Sequence, residues 1–295
     1  MNETIIAGVD IGGSHITVAL IDIQKREIIK NTRRRKEVNS GKGAEEILDL
    51  WAAIITESFR LADSKPTRLG IAMPGPFDYA NGISYIQNQN KYDALYGLNI
   101  KQQLAERLDV LAGDIWFMND AACFLHGEMF TGAGKGFSRV MGLTLGTGLG
   151  SALSLNQETV DADLWGTAFK DGIAEDYLST RWFLKRYREL SGKIVKDVKE
   201  LVSKIHEEVL IQVVFDEFGT SLGKFLVPYI RQEQLELIIF GGNISLASRH
   251  FSRAVKRVWD EEQISVGIRN AELGENAALI GAASSHHLSS NAIKV

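Results

Sequence analysis

Two glycine-centred turns carry the residue types that could do chemistry in this chain. In the first, Val9-Asp10-Ile11-Gly12-Gly13-Ser14-His15, a carboxylate and two adjacent glycines lie between two runs of strand-forming residues. Glycine has no Cβ, so the backbone N–H groups of such a turn can close on a ligand and form a nest for phosphate. A carboxylate beside that nest would repel phosphate unless a cation intervened, which points Asp10 at a magnesium ion or its water shell. The second turn, Thr144 to Gly148, repeats the nest without the acid and adds the hydroxyls of Thr144 and Thr147. A third pair, Gly241-Gly242, follows an apolar strand and leads into Asn243. One Gly-Gly turn mostly just reverses a chain; two in matching frames and a third form a pattern.

Asp120, in Met118-Asn119-Asp120, falls where a strand is expected to end and a helix to begin. An Asp there is an ordinary helix N-cap. It is also where α/β proteins tend to keep ligands, which makes Asp120 a candidate general base with Asn119 holding a substrate hydroxyl. Two other glycine clusters are weaker. Gly132 to Gly136 lacks the first glycine and the Ser or Thr of a triphosphate loop. Gly146 to Gly150 runs into a strand instead of a helix, which argues against a nicotinamide cofactor.

The elements that must position these residues follow from hydrophobic period. Strands are expected over Thr4 to Val9 and Ile16 to Ile21, with a third at Glu27 to Lys30. Ile47, Leu50, Trp51, Ile54, Ile55 and Phe59 have helical spacing. A buried-type strand ends at Pro74, a small hairpin surrounds Asn81-Gly82, and a helix carries Ile100, Leu104 and Leu108. From Ile115 the order of strand, helix and strand pair begins again. Aligning the two turns sets Asp10 against Thr144 and Gly12 against Gly146, an internal duplication that would face the two turns across a cleft. The alternation of strands and helices argues for α/β class.

Composition sets limits. At 295 residues the chain is long for one core, so two lobes are expected. The net charge of -4 gives no broad reason to expect nucleic acid or an acidic membrane surface. The basic run Arg33 to Lys36 reads as a solvated loop. One cysteine, Cys123, excludes an intramolecular disulfide and a multi-thiolate zinc site within one chain. No apolar run approaches the ~18 residues of a membrane span, and a cytoplasmic protein is expected.

The ordered set of motifs resembles the ROK family of sugar kinases and sugar-responsive repressors, within the actin-like ATPase superfamily. The residues that carry the resemblance are Asp10 to His15, Gly70 to Pro76, Asn119-Asp120, Leu143 to Gly150 and Ile238 to Ser245. It implies a two-lobe actin-like ATPase (ribonuclease H-like) α/β fold with a cleft between lobes. The smaller lobe is expected at 1–117 plus 276–295, the larger at 118–275. It further implies ATP- and magnesium-dependent phosphorylation of a hexose or amino sugar at a primary hydroxyl, in glucokinase-like fashion. Asp120 would be the catalytic base, and Asp10 would order magnesium through water. Gly12, Gly13, Ser14, Gly146, Thr147 and Gly148 would hold phosphates, and Gly241, Gly242 and Asn243 would lie near the nucleoside. Asn90, Asn119, Asp120 and Glu175 would meet the sugar.

The departures concern the sugar region. Where family kinases commonly carry a Glu-x-Gly-His motif and a cysteine-rich zinc motif, this chain reads Asp161 to Ser179 with no His and no Cys, so zinc is not expected. Glu175 resembles the family's later Glu, and Asp163 is a stand-in for the earlier one. His15 occupies the place of a frequent Lys. His126, His206, His250, His286 and His287 are expected at surfaces or helix ends. The expected partners are a sugar and ATP, not nucleic acid or membrane, with a homodimer left open. Family repressors place a DNA-binding module before the first phosphate motif, which here begins within ten residues of Met1. A catalytically weak sugar-binding or protein-binding regulator of the same fold is the alternative.

Overall fold

The computed structural model describes residues 4–286. They form two compact units, one built from the segment up to Lys135 together with the segment from Glu275, the other from Gly136–Gly274.

The first unit contains β1 (Ile5–Ile11), β2 (His15–Asp22), β3 (Glu27–Ile28), β4 (Arg34–Glu37), α1 (Ala44–Arg60), β5 (Leu69–Met73), β6 (Phe77–Asp78), β7 (Ile83–Ser84), α2 (Ile100–Leu108), β8 (Ile115–Asn119) and α3 (Asp120–Thr131), completed by a C-terminal helix, Asn276–Ser284. Its main sheet runs β3-β2-β1-β5-β8 with β4 also beside β2. β1 is antiparallel to β2 and parallel to β5, which is parallel to β8. Successive side chains of a strand point to opposite faces. On one face Val9, Ile11, Ile16, Val18 and Leu20 join Ile47, Trp51, Ile55 and Phe59 of α1 in one core.

The other face is held at backbone distance by the C-terminal helix. A Cβ at Gly8 would lie 2.1 Å from the Leu279 carbonyl oxygen, and one at Gly70 1.8 Å from that of Ala282. The helix meets α3 in the same way, since a Cβ at Gly127 would stand 2.1 Å from the Ala277 carbonyl oxygen and one at Gly281 1.8 Å from that of Cys123. The indole N–H of buried Trp116 donates to the Ala282 carbonyl at 2.9 Å. This packing explains a departure from the expected boundary. A break after residue 117 would cut β8 within its length and put α3 in the larger lobe, yet all of β8 and α3 belong to the first unit, because α3 is fastened to the C-terminal helix.

The second unit contains β9 (Arg139–Leu145), β10 (Leu149–Leu155), β11 (Glu158–Asp161), β12 (Ala168–Phe169), β13 (Gly172–Ile173), α4 (Ala174–Tyr177), α5 (Thr180–Ser191), α6 (Val198–Ser203), α7 (Val209–Glu233), β14 (Leu237–Gly241), α8 (Ser248–Glu261) and β15 (Gly267–Asn270). Its main sheet runs β11-β10-β9-β14-β15. Here too an antiparallel hairpin is followed by two strands parallel to its first member. Phe183, Phe215, Phe218, Phe240 and Phe251 centre its core. Asp10 pairs with Thr17, one step before the last pair of the first hairpin, and Thr144 pairs with Gly150 at the corresponding step of the second.

Two other expectations are corrected. The basic run Arg33 to Lys36 is not a loop: most of it forms edge strand β4, with Arg34 opposite Val18 and Arg35 opposite Thr17. Charged residues are common on edges because they discourage further strand pairing. His126 is not a surface residue but is only 8% exposed, since α3 is buried without interruption from Ala121 to Glu128. The His286 ring packs at a tilt against Trp116, 4.5 Å between centroids, and His287 lies outside the described residues.

Candidate active site

Asp10 is the penultimate residue of β1, and Asp120 begins α3 directly after β8; both stand in the first unit at the carboxyl ends of parallel strands, with β5 between the two. Burial and the nearby Asp120 carboxylate push Asp10 up to about 6, while Arg35 and Arg33 pull it down. Asp120 stays accessible to solvent, but the protein crowded about it raises its carboxyl above the usual range, partly offset by the Ala121 N–H and by Lys91. Neither carboxylate makes an ion pair with a described residue.

Asn119, not Asp120, caps α3. Its Oδ1 accepts from the N–H groups of Ala121 at 2.8 Å and Ala122 at 3.2 Å, and its Nδ2 donates to the Tyr79 hydroxyl at 3.3 Å. Asp120, at the first helical position, accepts only from the adjacent Ala121 N–H at 2.9 Å. The cap is thus filled by the neighbour, and one oxygen of Asp120 is left for other partners.

The first glycine turn is closed by the Gly12 N–H donating to the His15 carbonyl at 2.9 Å. Gly12, Gly13 and Ser14 are exposed, and the Ser14 hydroxyl bonds the His15 ring at 2.8 Å. Tyr92, missed in the sequence, locks this turn: its hydroxyl donates to the Gly12 carbonyl at 2.6 Å, and its ring packs edge-on against Trp51. Burial and Asp10 hold its phenol protonated, far above the ordinary tyrosine range. Asn90 is exposed and left-handed at φ 55, two residues before it. Lys91, also missed, runs past Gly13, where an added Cβ would be 3.7 Å from its Cδ. A left-handed Asn run, Asn88 and Asn90, was the available signal for a shaped loop here. Tyr92→Phe is expected to lose about 1 kcal/mol of stability in urea unfolding, the net worth of a buried hydrogen bond.

Asp10 also gives the first unit a pH signature. Its ordinary value of 3.8 applies to the unfolded chain and about 6 to the folded one. Below 3.8 both states hold the proton and nothing is lost. Between the two values the unfolded chain binds fewer protons, so stability falls as pH rises, and the loss is complete above about 6. Asp10→Asn, in chelator, is expected to stabilise the protein at pH 7.5 by on the order of 2 kcal/mol and to do nothing near pH 4, as read from denaturant midpoints.

In the second unit the Gly146 N–H donates to the Gly148 carbonyl at 3.0 Å, and no atom lies within 4 Å of where a Gly146 Cβ would stand. Thr147 is exposed at the tip. Glu175, from α4, braces this turn: its Oε2 accepts from the Leu149 N–H at 3.1 Å and its Oε1 pairs with Arg181 at 2.6 Å. Asp163 sits in an exposed turn, its own N–H donating to Asp161 at 2.9 Å. Gly242 has φ +78, and a Cβ there would lie 2.4 Å from the Leu145 carbonyl oxygen. The turn from Gly241 to Asn243 is therefore docked on the end of β9, next to Gly146. By contrast the Gly132 to Gly136 turn closes on its own helix, the Ala133 N–H donating to the Glu128 carboxylate and the Gly134 N–H to the Glu128 carbonyl. Among the described residues no three His, Cys, Asp or Glu side chains are gathered as a metal cage.

Two sheets of one strand pattern, each opened by a glycine hairpin, define the actin-like ATPase fold of sugar-kinase type. The chain belongs to the ROK family, whose profile matches residues 6–163. It is 25% identical over 315 aligned residues to a glucokinase of Thermotoga maritima, covering 95% of this chain and 96% of the relative. It is 27% identical to an N-acetyl-D-glucosamine kinase of Histophilus somni, covering 94% of this chain and 97% of the relative. Its fold matches the crystal structure of a ROK hexokinase from Thermus thermophilus with TM-score 0.81 at 19% identity, over 98% of this chain and 99% of that one.

Proposed function

We propose that the protein transfers the γ-phosphoryl group of ATP, with magnesium, to a primary hydroxyl of a hexose or amino sugar. The observation that carries this reading is the approach of Asp120 to Asp10: two crowded carboxylates at the carboxyl ends of β8 and β1, flanking β5, one left free by the Asn119 cap, beside an exposed glycine turn. Similarity to kinases of glucose and N-acetylglucosamine along nearly the whole chain supports it.

The residues fit the nucleotide and its ion. An acid raised to about 6 by burial and a like charge is one that a divalent cation would restore to its ionised form. Gly13, Ser14, Thr147 and Gly148 would offer turn N–H groups and hydroxyls to the phosphates, Gly12 and Gly146, whose N–H groups close the turns, would let the phosphates approach for want of a Cβ, Gly241 to Asn243 would border the nucleoside, and Asp10 would hold magnesium through water. The bound ion supplies charge neutralisation on the transferring group. Asn90, Asn119 and Glu175 would bind the sugar. Asp120 would take the proton from the sugar hydroxyl as that oxygen bonds to the γ-phosphorus and the bond from phosphorus to the bridging oxygen breaks to release ADP, and positioning does most of the remaining work.

Among the described residues no helix is long and apolar enough to cross a membrane. A reducing cytoplasm, with its ATP, is the compartment we assign. The test is ADP release across a panel of hexoses and amino sugars, with magnesium. Turnover stimulated by at least one sugar is expected; none with any sugar would favour a regulator over an enzyme.

A further inference from the structure

The four cations Arg33 to Lys36 do not act as one patch, because strand alternation divides them. Arg34 points to the α1 face, where its Nε donates to Glu57 at 2.9 Å. Arg33 and Arg35 turn to the opposite face, where both reach Glu275 at the start of the C-terminal helix, at 2.6 and 3.3 Å. Register places Arg35 beside Thr17 and Thr17 beside Asp10, so the three share one face across three neighbouring strands.

Two guanidinium groups thus share one ion-paired carboxylate, and Asp10, farther along the same face, is the other acid that feels their charge. Glu37, next on that face and opposite His15, forms no ion pair with them. All three partners keep substantial exposure: Arg33 39%, Arg35 47% and Glu275 68%. Exposed ion pairs of this kind contribute little to stability and exchange partners readily. The first turn itself offers no lysine or arginine, since His15 follows Ser14.

We infer that Arg35, assisted by Arg33, is the cationic arm of the phosphoryl-donor site, held by Glu275 until the donor's phosphate chain replaces that carboxylate. This rests on the kinase reading and adds to it a residue and an exchange. A planar guanidinium can grip phosphate oxygens in pairs, a geometry that lysine lacks. The chemistry recognised is a polyphosphate chain, whether it belongs to a nucleotide or is inorganic.

Calorimetric titration with magnesium-ADP and, separately, with inorganic tripolyphosphate distinguishes these sources and needs no turnover. Arg35→Gln is expected to weaken binding about tenfold, Arg35→Lys less, and Glu275→Gln to tighten it severalfold, with sugar binding by all variants unchanged. Loss confined to ADP assigns the arm to a nucleotide, and loss with both ligands to the phosphate chain itself. If the native protein binds ADP or tripolyphosphate and Arg35→Gln matches it within twofold, the arm is overturned and the kinase reading stands. If the native protein binds neither, both fall.

Discussion

Asp120→Asn is expected to lower kcat for sugar phosphorylation by about a thousandfold, within the range that a positioned general base supplies. The amide keeps the shape of the carboxylate but cannot take the hydroxyl proton. The fold should tolerate the change, because Asn119 makes the helix cap and Asp120 accepts only one adjacent N–H. A neutral side chain also removes the like charge that helps to raise Asp10. We therefore expect a melting temperature equal to or above that of the native protein and a nucleotide KM close to it. Because the protein crowded about Asp120 raises its carboxyl, kcat should decline on acidification sooner than an ordinary aspartate would cause, as the base takes up a proton. A variant retaining more than a tenth of native kcat would remove Asp120 from the role of base.

Gly281→Ala is expected to destabilise the first unit by about 3 kcal/mol or more, although alanine is the better helix former by about 1 kcal/mol. The reason is contact with backbone, not with a side chain that could swing aside. The new methyl would stand 1.8 Å from the Cys123 carbonyl oxygen, and Gly127 N lies only 2.8 Å from the same point. Relief requires α3 and the C-terminal helix to separate, which would carry Asp120 with it. Urea unfolding followed by the change in tryptophan fluorescence between the native protein and its Trp116→Phe background, Trp116 being bonded to the same helix, reads the effect. An unchanged midpoint would show that the two helices do not depend on this close approach. Gly192→Ala makes a useful contrast: nothing lies within 4 Å there, but its φ of +71 strains any side chain, so its cost should be local to the end of α5.

Much of this architecture could be read before any coordinates. Helix α1 announced itself through apolar residues repeating at helical spacing, and both glycine hairpins through paired strands around bare turns. The signal failed where it depends on tertiary partners. Strand β4 is made of Arg34 to Glu37, residues with little strand preference that pair because β2 offers an open edge. The boundary was misplaced because the contact of the C-terminal helix with α3 is encoded by two glycines far apart in sequence, Gly127 and Gly281, neither of which names the other as its neighbour. At the candidate site, Asp10, Asp120 and the glycines were legible from residue type and position. Tyr92, Lys91 and Arg35 were not, since a tyrosine in a polar loop or an arginine in a basic run carries no local mark of what it reaches.

The C-terminal helix has a consequence for how the protein comes into being. On the ribosome, strands β1 to β8 emerge early, yet their sheet lacks the cover for Gly8 and Gly70 until residues 276–284 have left the exit tunnel. The continuous segment Gly136–Gly274 needs no such wait and can condense first. Translation thus completes the first unit last, although its strands are the first to be made.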